Sequence, residues 1–334
     1  MKYQNLGRTG IKVSRICLGM MSFGNTREWN LEHDEAKPII DKALDAGINF
    51  FDTANVYATG RSEEITGELL KDHRDDVVIA TKVRFPMGEG LNEQGLNRYH
   101  VSKQIKASLK RLQTDVVDLY QIHRWDYNVD IEYVMRTLNH VIDEGQAHHI
   151  GASSMFAWEL AKAQYTAERL GLEGFSTMQN HYNAVYREEE REMLPLCIDQ
   201  GMGVIPWSPL ARGFLSGKYS NNEKSTRSTS DRFLEWFGSE NDFEILKKIE
   251  EGAKENNISV SQMSLAWLLD RPGVTSPILG VTKLKHLEEA IEVVDMSIDQ
   301  DYFNRISEAY TVRPVKGHSY TSPLGDQRKR KTVF

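Results

Sequence analysis

The chain has 334 residues, of which 40% are hydrophobic and 27% are charged, a composition typical of a soluble globular enzyme. Its formal net charge of −7 argues against a nucleic acid or an anionic membrane as partner. No apolar stretch has the character of a signal peptide or the length of a membrane span, so we expect a cytoplasmic protein.

The chain begins with a predicted β-hairpin over residues 2–15, because polar and apolar residues alternate on both sides of the turn signal Gly7-Arg8-Thr9-Gly10. Such a hairpin could close one end of a barrel. Eight short apolar runs follow it and predict strands at 16–19, 48–51, 77–80, 117–122, 149–152, 176–179, 203–207 and 277–279. The first of these runs contains Cys17, and Cys197 lies in a later apolar stretch. Two such cysteines predict buried thiols, with no disulfide framework and no metal site.

The segments between the strands show helical periodicity. Apolar residues recur at helical spacing over 101–112, 131–142, 160–170 and 284–294. Gly145 and Gly171 each follow such a segment, as expected of the residue just beyond a helix. Ser259 opens a capping-box pattern for a helix to about residue 270, and Ser62 predicts the N-cap of the helix after the second strand. A further helix is predicted near 302–310.

Eight strands that alternate with helices predict either a closed (β/α)8 barrel or a doubly wound sheet. The count of eight favours the TIM barrel, and so does the lack of a G-x-G-x-x-G motif after the first strand. The extra length is assigned to insertions at 83–100 and 211–242. We expect one domain over residues 1–334, with 315–334 as a flexible tail that includes the basic run 328–331.

Polar residues end nearly every predicted strand, and four of them suggest a reaction. Asp52 ends the second strand, Lys82 the third and His123 the fourth, while Tyr57 lies in the loop five residues after Asp52. In parallel barrels these strand ends share one face, where active sites form. A tyrosine is a weak acid, but a nearby lysine ammonium favours its phenolate, and a carboxylate can hold that lysine charged. A histidine alongside can orient a carbonyl group. This set suits proton donation to a carbonyl during hydride transfer, with no metal required.

The same motifs carry a resemblance to the aldo-keto reductase superfamily that extends over essentially the whole chain. The matching segments are Phe51-Asp52-Thr53-Ala54-x-x-Tyr57, Gly60-x-Ser62-Glu63-Glu64, Ala80-Thr81-Lys82, Gln121-Ile122-His123, Gly151-x-Ser153, Gln179-x-x-Tyr182-Asn183, Pro206-Trp207-Ser208-Pro209-Leu210-Ala211-x-Gly213-x-Leu215 and Pro277-Ile278-Leu279-Gly280. The chain is most similar to the branch that includes YajO-type and potassium-channel β-subunit-like proteins. The resemblance implies a catalytic tetrad of Asp52, Tyr57, Lys82 and His123.

The resemblance further implies that NADPH or NADP+ binds across the barrel mouth. Its nicotinamide end would contact Ser153, Ser154, Gln179 and Trp207, with Gly19, Met20, Met21 and Asp52 beside it. Ser208, Pro209, Leu210, Gly213 and Lys218 would lie near the pyrophosphate. Gly280, Thr282, Lys283 and Arg227 would meet the phosphates, with Lys283 and Arg227 favouring NADPH over NADH. His286 and Glu289 would be near the adenine, although His286 and Ala290 depart from the glutamine and asparagine usual in the family.

The expected substrate is a small-molecule carbonyl compound. Candidate pocket walls are Met21, Phe23, Trp29, Phe85, Trp125 and Trp236, and an aromatic rim of this kind suits hydrophobic or aromatic aldehydes. Arg84 and Arg124 follow Lys82 and His123 closely. Either arginine could attract a carboxylate or phosphate of the substrate, or pair with acids at the rim.

Three functions remain open at this level. The leading hypothesis is an NADPH-dependent reductase of aldehydes or ketones in which Tyr57 donates the proton. A Schiff-base aldolase that uses Lys82 is an alternative, because a lysine at a barrel strand end can form an imine. A nicotinamide-sensing regulatory subunit, as some relatives in the family are, is the third. The protein can be a monomer or a homo-oligomer.

Overall fold

A parallel sheet of eight strands organises the protein, seen in a computed structural model that describes residues 1–217 and 237–311 and two short strands beyond them. A hairpin of β1 (Tyr3–Asn5) and β2 (Lys12–Ser14) precedes the sheet. The sheet strands are β3 (Cys17–Gly19), β4 (Phe50–Asp52), β5 (Val78–Val83), β6 (Val117–Ile122), β7 (Ala147–Ser153), β8 (Thr177–Gln179), β9 (Gly203–Val204) and β10 (Ile278–Leu279). Each overlaps one of the eight predicted strands.

The sheet curls into a barrel. The spatial order of its strands is β10-β3-β4-β5-β6-β7-β8-β9, and all neighbours are parallel. The two outer strands meet through the backbone N–H of Ile278, which donates to the Pro206 carbonyl at 2.8 Å, and a parallel bridge between Trp207 and Ile278. The predicted (β/α)8 TIM-barrel class is therefore confirmed, and the doubly wound alternative is excluded.

Helices surround the sheet: α1 (His33–Asp45), α2 (Arg61–Leu70), α3 (Arg98–Leu112), α4 (Ile131–Asp143), α5 (Ala157–Leu170), α6 (Met193–Gln200), α7 (Glu240–Glu255), α8 (Val260–Leu269), α9 (Leu284–Val293) and α10 (Gln300–Glu308). Gly171 ends α5 in the left-handed conformation, and Ser259 opens α8 with the predicted capping box. The extra helices α7 and α10 lie near the C-terminus, as expected.

The helix after β4 begins differently from the prediction. Its N-cap is Gly60, at φ 98°, and Ser62 is already inside the first turn. The Ser62 hydroxyl donates to the Met20 carbonyl at 2.8 Å and also lies 2.9 Å from the Thr53 hydroxyl. The prediction of Ser62 as N-cap was wrong because its side chain connects α2 to the residues that directly follow β3 and β4 instead of capping the helix.

The hairpin closes the N-terminal end of the barrel. Gly7, at φ 58°, lies in its turn, and a Cβ atom there would come within 2.8 Å of the Ser176 carbonyl oxygen. Leu6 and Val13 extend the apolar cluster inside the barrel, which also contains Cys17, Phe50, Val78, Ala80, Leu119, Ile205 and Ile278. Because this end is filled with apolar side chains, polar chemistry is restricted to the opposite end.

The outer layer is a larger apolar core between the sheet and the helices, and it includes Phe51, Ile79, Tyr120 and Trp267. Across the described ranges, no helix has the length and hydrophobicity needed to cross a membrane. The predicted tail, 315–334, lies outside the described residues except for an antiparallel pair of two-residue strands, Thr321–Ser322 and Gly325–Asp326.

The close contact between α2 and α3 leads us to expect that a larger residue at Gly67 would destabilise the protein. A Cβ on Gly67 would lie 2.5 Å from the Leu112 carbonyl carbon, and backbone cannot move aside as a flexible side chain can. We expect Gly67→Ala to lower the free energy of unfolding by about 1–3 kcal/mol through overpacking, measured by urea denaturation. In the control Gly252→Ala, in α7, the new methyl meets the flexible end of Met263 at 3.1 Å. It should be neutral, or stabilising by up to about 1 kcal/mol. Equal effects of the two variants would contradict the close packing of α2 on α3.

Candidate active site

Polar side chains from consecutive strands converge at the C-terminal end of the barrel. Asp52 is the last residue of β4, Lys82 lies in β5, and His123 directly follows β6. Lys82 is paired in register with Gln121 of β6, so the side chains of neighbouring strands lie at the same height. Parallel strands end together on one face of a barrel, which is why residues distant in sequence meet here.

Three of the four predicted catalytic residues form a continuous chain of contacts. The Lys82 ammonium donates to Asp52 Oδ2 at 2.5 Å and to the Thr53 carbonyl at 2.7 Å. It also donates to the Tyr57 hydroxyl at 3.3 Å, with its Nζ 4.9 Å from the Tyr57 ring centroid. All three donor positions of the lysine are therefore used, which fixes its location.

The charge of this lysine is maintained by its partners. Lys82 is fully buried and Asp52 is 2% exposed. Burial opposes the ammonium charge, but the Asp52 carboxylate and the Tyr57 phenol outweigh it, so the pKa of Lys82 lies above its ordinary value. At neutral pH the site thus contains a charged, hydrogen-bonded ammonium group directly beside the tyrosine hydroxyl.

Two glutamines hold the other oxygen of the aspartate. The side-chain amides of Gln121 and Gln179 each donate to Asp52 Oδ1 at 2.9 Å. Gln121 was not predicted as a site residue, although side chains alternate along a strand and it shares the inward face of β6 with His123, two residues later. That two-residue spacing could have predicted that Gln121 points into the site. Gln179 was predicted at the nicotinamide, and the structure places it in the Asp52 network as well.

The loop that carries Tyr57 is tied to the neighbouring strand. The backbone N–H of Thr53 donates to the Ala80 carbonyl at 2.9 Å, and that of Asn55 donates to the Lys82 carbonyl at 3.3 Å. The Asn55 side chain also donates to Gln104 of α3. The chain then turns, so that Tyr57 is half-buried over the mouth while Asp52 stays at the strand end.

His123 completes the set. Its ring lies edge-on to Tyr57, with 5.7 Å between centroids, and 4.8 Å from Phe85. It is 7% exposed, and its Nδ1 has no hydrogen-bond partner in the part of the chain that the structure describes. Burial lowers the pKa of His123 well below its ordinary value, and the nearby cations of Lys82, Arg124 and Arg84 lower it further. His123 is therefore neutral at physiological pH and can donate from one ring nitrogen.

An aromatic stack stands on the other side of the mouth. The Trp207 indole N–H donates to the Ser154 hydroxyl at 3.0 Å, and that hydroxyl lies 3.2 Å from the Ser153 hydroxyl. His181 stacks on one face of Trp207 at 4.3 Å, and Tyr186 stacks on the opposite face of His181 at 4.4 Å. His181 was missed from sequence because stacking between loops leaves no periodic signal. The structure brings the predicted nicotinamide residues together and shows what orients Trp207.

The predicted phosphate residues lie in two neighbouring segments of this mouth. After Trp207, Ser208 adopts φ 55°, Pro209 and Leu210 pack inward, and Gly213 adopts φ 98° in open surroundings. After β10, Gly280 and Lys283 are exposed and Thr282 is half-buried at the start of α9, whose N-terminus has no side-chain cap. Its first amides can therefore receive a phosphate. Lys218, Arg227 and Trp236 lie outside the described residues.

The other residues predicted to contact the cofactor lie in different surroundings. Gly19 ends β3 beside Asp52, while the Met20 carbonyl accepts from Ser62 and the Met21 carbonyl accepts from Asn30. On α9, His286 is exposed and Glu289 forms an ion pair with Lys285 at 3.7 Å. Ala290 is buried against the core, as suits its small apolar side chain.

Of the predicted substrate walls, Phe85 packs on His123 at the mouth. Trp125 lies 6.3 Å from Trp158, and the Trp29 ring lies under Arg27 at 5.2 Å. Phe23 is fully buried in the outer core, so the prediction of Phe23 as a pocket wall is corrected. Its apolar side chain is used for packing between β3 and the helices.

The chain is similar to known proteins over most of its length. Residues 15–311 match the model of the Aldo/keto reductase family. The chain is 39% identical to a Schizosaccharomyces pombe protein provisionally named an aryl-alcohol dehydrogenase, over 94% of this chain and 97% of that protein. It is 37% identical to versiconal hemiacetal acetate reductase of Aspergillus parasiticus, over 94% and 98%. It is also 36% identical to the uncharacterized oxidoreductase YrpG of Bacillus subtilis, over 93% and 96%.

Because of the stacked His181, we expect the free energy of unfolding to depend on pH. Burial, with a smaller contribution from Arg212, lowers the pKa of His181 to about 4. Below about pH 6.5 the unfolded chain binds a proton there that the folded chain does not, so this histidine lowers stability as the pH falls. In His181→Phe, which keeps the stacking, the free energy of unfolding relative to the wild type should rise by about 2 kcal/mol between pH 7.5 and pH 5.

Urea denaturation at several pH values measures this difference. Trp158→Phe provides the control, because it replaces one exposed aromatic side chain that does not titrate by another. The difference between Trp158→Phe and the wild type should stay constant over the same range. A constant difference for His181→Phe as well would contradict the low pKa of the stacked ring.

Proposed function

This chain belongs to the aldo/keto reductase family, and we propose that it is an NADPH-dependent reductase that converts aldehydes or ketones to alcohols. The observation that carries the proposal is the contact chain Asp52–Lys82–Tyr57, with 2.5 Å between the ion-pair atoms and 3.3 Å between Lys82 Nζ and the Tyr57 hydroxyl. A charged donor aimed at a phenol oxygen prepares that phenol to give up its proton.

The cofactor fits the residues at the mouth. Trp207 offers a half-buried ring held by Ser154, and the N-terminus of α9, which has no side-chain cap, offers its first backbone amides with Lys283 beside them. NADPH, when bound, supplies the hydride that reduces the carbonyl carbon. Ser153 and Gln179 would bind its carboxamide group, and Thr282 and Lys283 would bind phosphate, including the 2′-phosphate that distinguishes NADPH from NADH.

The protein groups then act on the carbonyl oxygen. Tyr57 donates its proton to that oxygen, and the Lys82 ammonium stabilises the phenolate that remains. Asp52, held by two glutamine amides, balances the lysine charge throughout. Neutral His123 donates a hydrogen bond to the same oxygen and orients the carbonyl.

Lys82 is poorly suited to the alternative aldolase chemistry. Imine formation requires a neutral amine with access to substrate. Lys82 is fully buried, and its pKa is raised by Asp52 and Tyr57 against the opposing effect of burial. Its three hydrogen bonds leave no free position for attack on a carbonyl.

The first test of the proposal is Tyr57→Phe. We expect kcat for 4-nitrobenzaldehyde with NADPH to fall about a hundredfold to ten-thousandfold, because the proton donor is lost while the ring remains. The Kd for NADPH, from fluorescence titration, should not change. Tyr133→Phe, at an exposed position on α4, is the control and should retain full activity. Near-full activity of Tyr57→Phe would refute the assigned donor, and a wild type that binds NADPH but reduces no aldehyde would favour the regulatory-subunit alternative.

The second test concerns cofactor choice. Lys283→Met should raise the Kd for NADPH about tenfold to a hundredfold, because a charged hydrogen bond contributes about 1.5–3 kcal/mol, and should leave the Kd for NADH unchanged. Lys285→Met is the matched control, since Lys285 is on the same helix and pairs with Glu289. An equal effect on both cofactors would show that Lys283 does not recognise the 2′-phosphate.

A further inference from the structure

Two arginines lie beside the proposed catalytic groups. The guanidinium carbon of Arg84 is 5.4 Å from the Phe85 ring centroid, and that of Arg124 is 6.0 Å from the same centroid. The Phe85 ring itself contacts His123 at 4.8 Å. Both guanidinium groups therefore lie near the same aromatic ring that packs on the His123 imidazole, and His123 would face the expected carbonyl.

Neither arginine has a carboxylate partner within residues 1–217 and 237–311. Arg124 donates from Nη1 to the His123 carbonyl at 2.6 Å, while Arg84 Nε is buried and has no hydrogen-bond partner among the described residues. By contrast, Arg61 and Arg187 in the same protein form ion pairs with glutamates at 2.8–3.2 Å. Among the described residues, Arg84 and Arg124 therefore do not form the ion pairs with rim acids that were the alternative to substrate binding.

The local charge is therefore unbalanced. The Lys82 charge is offset by Asp52, but no acid offsets the two arginines in the described part of the mouth. Burial lowers the pKa of Arg124, and Arg84 lowers it further, although the Tyr57 phenol acts in the opposite direction. Partly buried cations without a counter-charge are costly, and a bound anion would offset that cost.

The position of Arg124 indicates which molecule would bring the anion. Its guanidinium carbon is also 5.9 Å from the Trp207 ring centroid. Arg124 thus stands between the Trp207 ring, where the nicotinamide would stack, and the Phe85 ring, which packs on His123. A carbonyl held by Tyr57 and His123 would extend its substituent towards this gap.

We propose that Arg124, assisted by Arg84, binds a carboxylate on the substrate, so that the preferred substrates are oxo acids, aldehydes or ketones that carry a carboxylate. This inference rests on the proposed reductase function and specifies its substrate class. Guanidinium groups bind carboxylates through two parallel hydrogen bonds, which would fix the orientation of the substrate as well as its affinity.

The test compares pairs of aldehydes that differ only in charge: 3- and 4-formylbenzoate, each against its neutral carboxamide. For the wild type we expect kcat/KM to favour at least one carboxylate by tenfold or more, mainly through KM. In Arg124→Gln this ratio should fall to about one, and Arg124→Lys, which keeps the charge but not the fork, should give an intermediate ratio. Arg136→Gln, at a surface ion pair on α4, is the control and should keep the wild-type ratio.

A binding measurement supports the kinetics. Isothermal titration of the NADP+ complex with 3- and 4-(hydroxymethyl)benzoate, the alcohols that reduction would form, should show at least one binding tenfold more tightly than its neutral carboxamide. That difference should vanish in Arg124→Gln. The Kd for NADPH should be the same in both proteins, since a cofactor phosphate is the other possible anion.

The outcomes separate the two proposals. If the wild type reduces each carboxylate and its carboxamide equally well, the inference is overturned and the reductase function stands. If Arg124→Gln weakens NADPH binding and slows all aldehydes equally, Arg124 serves the cofactor and the inference is again overturned. If no aldehyde is reduced, the reductase function fails and the inference fails with it.

Discussion

A buried ion pair determines the arrangement of the barrel mouth. Lys82 and Asp52 are almost completely excluded from solvent and lie 2.5 Å apart. Removing two charges from water is expensive, and such a pair is tolerated only when its remaining hydrogen bonds are satisfied. The Thr53 carbonyl and the amides of Gln121 and Gln179 satisfy them. An apolar pair would be simpler to bury, so the retention of these charges is best explained by the reaction proposed for the site.

The barrel separates this charged layer from an apolar one below it. Side chains alternate along each strand, so Phe50 lies below Asp52, Ala80 below Lys82 and Leu119 below Gln121. Cys17 belongs to the apolar layer, where burial, with the nearby Asp52 charge, raises the pKa of its thiol well above the ordinary value. The thiol is therefore protonated at neutral pH, and an apolar layer separates the ion pair from the hairpin end of the barrel.

The sequence was most informative at the strand ends, where a polar residue after an apolar run predicts a residue of the site. Asp52, Lys82 and His123 were predicted because polar residues interrupt apolar runs, and the eight strands followed from the same pattern. The β9 prediction extended to Trp207, whereas regular pairing ends at Val204. Ser62, Phe23 and His181 were misread or missed because their positions depend on contacts between distant segments. These contacts are a hydroxyl bonded to the residue after β3, a ring packed into the outer core, and a stack between two loops. Local pattern cannot specify such contacts.

The overall charge of the chain bears on how the barrel mouth would select its substrate. The overall charge of the chain is −7, so its long-range field repels anions, and selection of a carboxylate must come from contact with Arg84 and Arg124 themselves. Exposed charges are screened over about 8 Å at physiological salt, whereas partly buried ones are screened much less. Asp52 and Lys82 lie in strands, whereas Tyr57, His123 and both arginines lie in the segments that follow strand ends. Arg124 directly follows His123 and donates to its carbonyl, so the proposed chemistry and the proposed substrate preference share one segment of the fold.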